Sequence, residues 1–305
     1  MKKQAAMTFS LPENYRREDF LAFHNRDSLQ AAEKATSRGF SKGLLWNGLP
    51  ARLSVVFQKD SGTARLRVDG PIPAGGEEAL HKTVTRMLGL DQPVETFEAE
   101  YADHPLLGRL TAFNAGLRVP QTATPFEALS WAIIGQQVSV RAAVSIRRKF
   151  IQACGIKHSD GLFCFPDAMR VAALDAGTLR DAGFSGAKAA SLLELAHAVA
   201  KGAVPLDQWA DGLKTGAVDA ATVRQHLSAI RGIGPWTISY GLLRGFGYLD
   251  GSLHGDVAVR RNLARLLQTE EKITEKQAEA WLAAFSPWRA LVGAHLWAMQ
   301  SAAGY

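Results

Sequence analysis

The chain has 305 residues, 47% apolar and 21% charged, with a formal net charge of +6. That length exceeds what one core usually holds, so more than one domain is expected. The basic balance permits a polyanionic partner without identifying one, and no apolar run approaches the length of a membrane span.

Met1-Lys2-Lys3-Gln4 leads into polar sequence with no apolar signal core, so a cytoplasmic location is expected. Leu53-Ser54-Val55-Val56-Phe57 and Ala64-Arg65-Leu66-Arg67-Val68 read as strands, the second alternating strictly, with Lys59-Asp60-Ser61-Gly62 as the hairpin turn between them. Glu77 and Glu78 open a helix carrying Leu80, Val84 and Leu88, ended by Gly89. Residues 1–112 therefore fit a small α+β domain.

Residues 113–305 read as helical almost throughout. Thr124-Pro125-Phe126-Glu127 is a capping-box pattern with proline at the first helical position, ahead of Leu129 and Ile133. Asp219 precedes a helix with Val223, Leu227 and Ile230 on one face. Thr274 and Gln277 form a second capping-box pattern before Ala278, Trp281, Leu282 and Phe285, and Ser286-Pro287 starts a last helix towards Trp297. This part is expected to be all-α, built as two helical lobes.

The segment from Leu227 to Thr237 contains Arg231-Gly232-Ile233-Gly234-Pro235. One helix ends near Ile230, the glycines allow a tight turn, and Pro235 suits the first turn of a second helix. The new helix's free N–H groups and positive dipole end form an anion site, and Ile233 can anchor the turn in the core. This is the logic of a hairpin that grips a DNA phosphate without reading sequence. An ordinary αα-corner would account for the glycines equally well.

Asp256 lies 22 residues beyond Gly234, directly before Val259, Leu263 and Leu266. An aspartate there is a good N-cap. A capping carboxylate can also serve in catalysis, so the position admits both roles.

Taken together these segments resemble the helix-hairpin-helix DNA glycosylase superfamily, and within it the DNA-3-methyladenine glycosylase II (AlkA) type. The resemblance covers nearly the whole chain. It runs from Asn14-Tyr15 and Phe20-Leu21-Ala22-Phe23 through Leu107-Gly108-Arg109-Leu110, Gly116 to Pro120, and Phe126 to Val140, and ends with Pro287-Trp288-Arg289 and His295-Leu296-Trp297. It implies an α+β N-terminal domain before a helix-hairpin-helix glycosylase domain.

The resemblance implies Asp256 as the catalytic carboxylate and Phe23, Trp236, Tyr240 and Trp297 as an aromatic base pocket. Arg231, Gly232, Ile233, Gly234 and Thr237 would hold the phosphate. Gln137 falls at the position that fills the gap left by a flipped base, where the family's familiar residue is leucine. Val257 stands where the family has an aromatic residue. Members that also cut the backbone carry a lysine nucleophile where this chain has Trp236, so no Schiff base is expected. The branches with an iron–sulfur cluster need four cysteines, and only Cys154 and Cys164 are present, read here as free thiols.

The implied activity is monofunctional hydrolysis of the N-glycosidic bond of alkylated bases, including 3-methyladenine and 7-methylguanine. Asp256 would stabilise the oxocarbenium-like sugar. The implied partner is double-stranded DNA carrying alkylated bases, approached by a monomer with no membrane contact. Arg260, Arg261 and Arg265, with Arg141, Arg147, Arg148 and Lys149, are candidates for meeting phosphates. No cofactor is required. Backbone carbonyls of Ser228, Ile230 and Ile233 are candidate ligands for a structural monovalent cation. Two alternatives stay open: a glycosylase for deaminated or oxidised bases, and a non-catalytic helix-hairpin-helix DNA-binding protein.

Overall fold

In the computed structural model, which describes residues 3–299, the chain begins with a five-stranded antiparallel sheet. Its strands are β1 (Gln4–Ser10), β2 (Glu33–Thr36), β3 (Gly39–Trp46), β4 (Leu49–Phe57) and β5 (Ser61–Val68), in the spatial order β1-β5-β4-β3-β2. Helix α1 (Arg17–His24) follows β1, and α2 (Gly76–Leu88) follows β5. The alternation of Ala64, Leu66 and Val68 buries those residues while Arg65 and Arg67 face out. Leu53, Val55 and Phe57 do the same on β4, and α2 covers this face with Leu80, Val84 and Met87. The turn between β4 and β5 is tighter than expected: Gln58 N–H donates to Ser61 O at 2.8 Å, so Ser61 and Gly62 already belong to β5. Gly89 caps α2 in the left-handed region, at φ 67°. Met1 and Lys2 of the expected N-terminal reading lie outside the described residues.

The remainder is helical: α3 (Val94–Glu100), α4 (Leu107–Phe113), α5 (Pro125–Gly135), α6 (Val140–Cys154), α7 (Ala168–Ala172), α8 (Ala176–Asp181), α9 (Gly186–Ala200), α10 (Leu206–Thr215), α11 (Ala220–Ser228), α12 (Pro235–Phe246), α13 (Val257–Leu266), α14 (Glu275–Ala283) and α15 (Arg289–Ala298). They form two lobes. One core joins α5 to α11 through Leu129, Phe150, Leu192 and Leu227. The other joins α13 to α15 through Leu263, Leu282 and Leu291, and also takes Phe97, Leu107 and Leu110 from α3 and α4. Helix α12 is shared: Ile238, Leu242 and Phe246 enter the first core, Tyr240 and Leu243 the second.

Two glycines set how α12 meets α5. A Cβ at Gly241 would come 2.5 Å from Leu129 Cδ2, and one at Gly245 would come 2.8 Å from Pro125 Cα. The helices therefore approach more closely than any side chain there would allow. Their contact runs from the start of α5 against the end of α12 to the end of α5 against the start of α12.

Local capping follows the sequence. Asp219 accepts from Thr222 N–H, and Thr274 with Gln277 makes both bonds of a capping box. Thr124 accepts from Glu127 N–H at 3.2 Å, but the expected reciprocal bond is absent. The Glu127 carboxylate turns instead to Lys42 and Arg147, at 2.6 and 2.7 Å. The last helix starts at Arg289 rather than at Pro287.

Glu127 belongs to a buried ionic cluster that ties the sheet to the helices. Lys42 of β3, fully buried, also donates to Glu33 of β2 at 2.6 Å, and Arg147 of α6 lies 3.0 Å from Glu33. His24 of α1 completes it at 2.9 Å from Glu33. Burial opposes charge on Glu33, yet Arg147 and Lys42 beside it hold its carboxyl well below the usual range.

Removing one charge from such a cluster leaves its partners buried and uncompensated, so Lys42→Met should cost about 3 kcal/mol in chemical denaturation. A second expectation concerns acid. Burial pushes His295 from 6.5 down to about 4, with Arg16 pushing the same way, so the folded chain holds it neutral. Its stabilising contribution is complete above pH 6.5 and is lost as pH falls towards 4, by about 3 kcal/mol. His24 is lowered by burial and adds in the same direction. The denaturation midpoint should fall across that window, less steeply in His295→Leu.

Candidate active site and DNA interface

Helix α11 ends at Ser228, the chain turns through residues 229–234, and α12 begins with Pro235 at its first position. Gly232 is the glycine the turn requires. Its φ is +85°, and a Cβ there would strike Ser191 Oγ at 2.2 Å. Gly234 adopts φ −89°, and a Cβ would meet nothing within 4 Å, so its lack of a side chain serves open access to the N-terminus of α12. Ile230 and Ile233 are buried and hold the turn in the core. Arg231 is exposed beside it. Thr237 is buried, and its Oγ1 accepts from Gln136 Nε2 at 2.9 Å, while its backbone N–H belongs to the first turn of α12, where amides lack partners in the helical ladder.

Gln137 sits between α5 and α6, exposed, at φ +54°, a left-handed conformation uncommon for a side chain. Its neighbour Gln136 explains why the turn holds: Gln136 Nε2 also donates to Gly232 O at 2.9 Å. Helix α9 supports both turns, through Lys188 Nζ to Ile134 O at 2.9 Å and Ser191 Oγ to Arg231 O at 2.7 Å. The chain therefore fixes Gln137 relative to the hairpin. Val138 and Val140 beside it are exposed, as is Val257 at the start of α13.

Between these features lies an open cleft of about 910 Å³. Asp256 lines it as the N-cap of α13. Its Oδ1 accepts from Ala258 N–H at 2.9 Å, Val259 N–H at 3.1 Å and Trp297 Nε1–H at 3.2 Å, while Oδ2 accepts, among the described residues, from Trp236 Nε1–H at 2.9 Å. The carboxylate is thus fixed in orientation, with accepting capacity left on Oδ2. Trp236 and Tyr240, four residues apart on α12, have ring centroids 5.5 Å apart, and Tyr240 lies 6.3 Å from Trp297. Trp236, Tyr240, Trp297, Gln137 and Asp256 all line this one cleft.

Phe23 lies deeper. It lines a small neighbouring cavity of about 30 Å³, and the guanidinium groups of Arg26 and Arg244 stand over its ring at 4.5 and 4.4 Å. Three residues of this site went unread in the sequence: Arg26 and Trp131, which line the cleft, and Arg244, buried behind Trp297. For Trp131 there was a signal, because it falls off the buried stripe of Leu129 and Ile133.

The basic residues after Gln137 divide. Arg147 belongs to the ionic cluster, and Arg148 pairs with Asp27 at 2.9 Å, so neither is offered to phosphate. Arg141 and Lys149 are exposed. On α13, Arg260 lines the cleft 3.7 Å from Glu275, and Arg261 and Arg265 are exposed. No lysine lines the cleft among the described residues. Cys154 and Cys164 are free thiols, and burial pushes Cys154 up to about 12.

Among the described residues no group of His, Cys, Asp or Glu could hold a metal ion. The candidate ligands at the hairpin are backbone carbonyl oxygens. Ser228 ends α11, where the last carbonyls outrun the helical ladder. Ile230 O already accepts Ile233 N–H at 3.1 Å, leaving it one lone pair. Neutral oxygen donors of this kind fit a hard monovalent cation.

Residues 130–287 match the HhH-GPD superfamily of base excision DNA repair proteins. The chain is 32% identical over 193 residues to DNA-3-methyladenine glycosylase 2 of Escherichia coli, spanning 63% of each chain. It is 26% identical over 249 residues to DNA-3-methyladenine glycosylase of Bacillus subtilis, spanning 81% of this chain and 80% of that one. The solved 3-methyladenine DNA-glycosylase from Archaeoglobus fulgidus shares the fold at a TM-score of 0.79 and 20% identity, covering 95% of this chain and 97% of that one. The chain belongs to the HhH-GPD superfamily of base excision DNA repair proteins, and its similarity runs to the AlkA type.

Proposed function

We propose that this chain is a monofunctional DNA glycosylase that removes alkylated bases, 3-methyladenine and 7-methylguanine among them, from double-stranded DNA. The observation that carries this is the Asp256 carboxylate, held by two indole N–H groups and two backbone amides at the wall of an aromatic cleft. A protein that only bound DNA would gain nothing from an anion placed there.

In this reading the hairpin amides and Arg231 hold a backbone phosphate, as a monomer approaches the duplex. The target nucleotide turns out of the stack, and Gln137 fills the gap. The base enters between Trp236, Tyr240 and Trp297. As the C1′–N bond lengthens, its electron pair moves to the base and positive charge builds on the sugar. Asp256 stabilises that charge electrostatically, and Oδ2 has capacity to orient the attacking water. Water adds its hydroxyl to C1′ and its remaining proton is lost to solvent or to the base. With Trp236 at the position where lyase-active members carry lysine, no imine forms and the strand stays intact. A monovalent cation bound by the carbonyls of Ser228, Ile230 and Ile233 would stiffen the turn without taking part in the reaction. The reaction takes place where the DNA is, which in a bacterium is the cytoplasm.

Asp256→Asn keeps an acceptor for the capping amides but loses the charge. It should bind duplex DNA as the parent does and lose base release by about 100-fold or more in single-turnover assays; retained release would refute the role. Gly232→Ala should act elsewhere, on the phosphate. Its strained φ and the contact with Ser191 should weaken binding to undamaged duplex and lower the slope of log affinity against log salt by about 1. An unchanged slope would remove the hairpin from the interface.

A further inference from the structure

The N-terminal sheet has a second face, turned away from its core. Strand register sets the side chains of that face in rows. One row is Gln4, Arg67, Arg52 and Gly43; the next is Ala6, Arg65, Ser54, Ser41 and Lys34; the third is Thr8, Thr63, Val56, Gly39 and Thr36. Four cations stand in these rows and no carboxylate does. Arg65, Arg67, Lys34 and Val56 are exposed. A groove of about 430 Å³ lies over the middle strands, lined by Arg52, Arg65 and Arg67 with Ser54 and Thr63. It shares no lining residue with the aromatic cleft.

Exposed sheet faces ordinarily mix both signs, and opposite charges across a strand pair stabilise it. Here Arg52 and Arg67 stand directly opposite each other, a like-charge pair that works against the fold. Asp160, from outside the sheet, relieves one member: it accepts from Arg52 Nη1 at 2.6 Å, while Arg52 Nη2 donates to Ser41 Oγ at 3.0 Å. Arg65 and Arg67 have no ion pair or side-chain hydrogen bond among the described residues.

We infer that this face is a second DNA-binding surface, on which Arg65 and Arg67, with Arg52 beside them, hold the phosphates of a duplex segment other than the one at the cleft. It rests on the glycosylase reading only in taking DNA as the partner polymer. Guanidinium forks match phosphate oxygens, and the hydroxyls of Ser54 and Thr63 add donors that carry no sequence information. Arg65 and Arg67 are two strand positions apart, about 7 Å, near the spacing of successive phosphates along a DNA strand. No aromatic ring stands in the rows, so the bases of an unpaired strand would find nothing to stack on, and the double helix is the form that fits. An acidic peptide is served less well. It would gain most by adding to a sheet edge, whereas β4 and β5 are inner strands whose backbone groups are already paired. A second segment held here keeps the protein on DNA while the cleft leaves one site for another.

The test uses the full chain and two short undamaged duplexes, one tethered to beads and one fluorescent. A protein with two DNA surfaces should carry the fluorescent duplex onto the beads. The double variant Arg65→Gln, Arg67→Gln should lower that co-capture by about tenfold or more, while Arg65→Lys, Arg67→Lys retains most of it. The Gln variant should still bind the tethered duplex and release 7-methylguanine at the parent's single-turnover rate, which also shows that it is folded. Arg170→Gln with Lys201→Gln, exposed cations on α7 and at the end of α9, removes the same charge elsewhere and should leave co-capture unchanged. Co-capture that persists in the Arg65, Arg67 Gln variant, or falls equally in the Arg170, Lys201 variant, overturns the inference. So does displacement of the fluorescent duplex by polyglutamate more readily than by unlabelled duplex at equal charge. A parent that co-captures DNA but releases no base would overturn the glycosylase reading and leave this surface standing.

Discussion

The close approach of α5 and α12, made by Gly241 and Gly245, is the constraint on which the site depends. It brings the end of α5, where Gln136 and Gln137 turn, to the start of α12, where the hairpin opens. Gln136 then bridges the two through Gly232 O and Thr237 Oγ1. One helix pair thereby fixes the separation of Gln137 and the hairpin, as the proposed cooperation of a wedge with a phosphate clamp would require. Helix α12 also carries Trp236 and Tyr240 and contributes to both helical cores, so the aromatic cleft lies on the seam between the lobes.

Around that seam, the residues that hold the structure and those that face the cleft are often the same. Asp256 caps α13 and also presents its carboxylate to the cleft; the amides that satisfy it as a cap fix its direction. Trp236 and Trp297 contribute ring faces to the cleft and N–H groups to Asp256. On the sheet side, the cluster of Lys42, Glu33, Glu127 and Arg147 joins β2 and β3 to α5 and α6. Glu33, Glu127 and Arg147 of this cluster line the small cavity that Phe23 also lines, beside the cleft.

Much of this was legible in the sequence because it is local. The caps at Asp219 and Thr274, the end of α2 at Gly89 and the hairpin at 232–235 each depend on a few neighbouring residues, and each formed as their chemistry dictates. The matched set of Trp236, Tyr240, Trp297 and Asp256 converges on one cleft. What the sequence hid depends on distant partners. The run Arg147-Arg148 reads as a basic face, but Glu33, Glu127 and Asp27, remote along the chain, neutralise it. Glu127 reads as half of a capping box until Lys42 draws it away. Nothing local in Arg26 or Arg244 announces a place over Phe23, because residues 23, 26, 131, 244 and 297 meet only once the sheet and both lobes are assembled.

The central claim is that the cleft hydrolyses a glycosidic bond and leaves the DNA backbone whole. Product analysis on a methylated duplex, with and without borohydride and with and without alkali, tests it most directly. Free base should appear in equal amount to abasic sites, strands should break only after alkali, and no protein should be trapped on DNA. A covalent borohydride-trapped complex, or strand breaks without alkali, would contradict it.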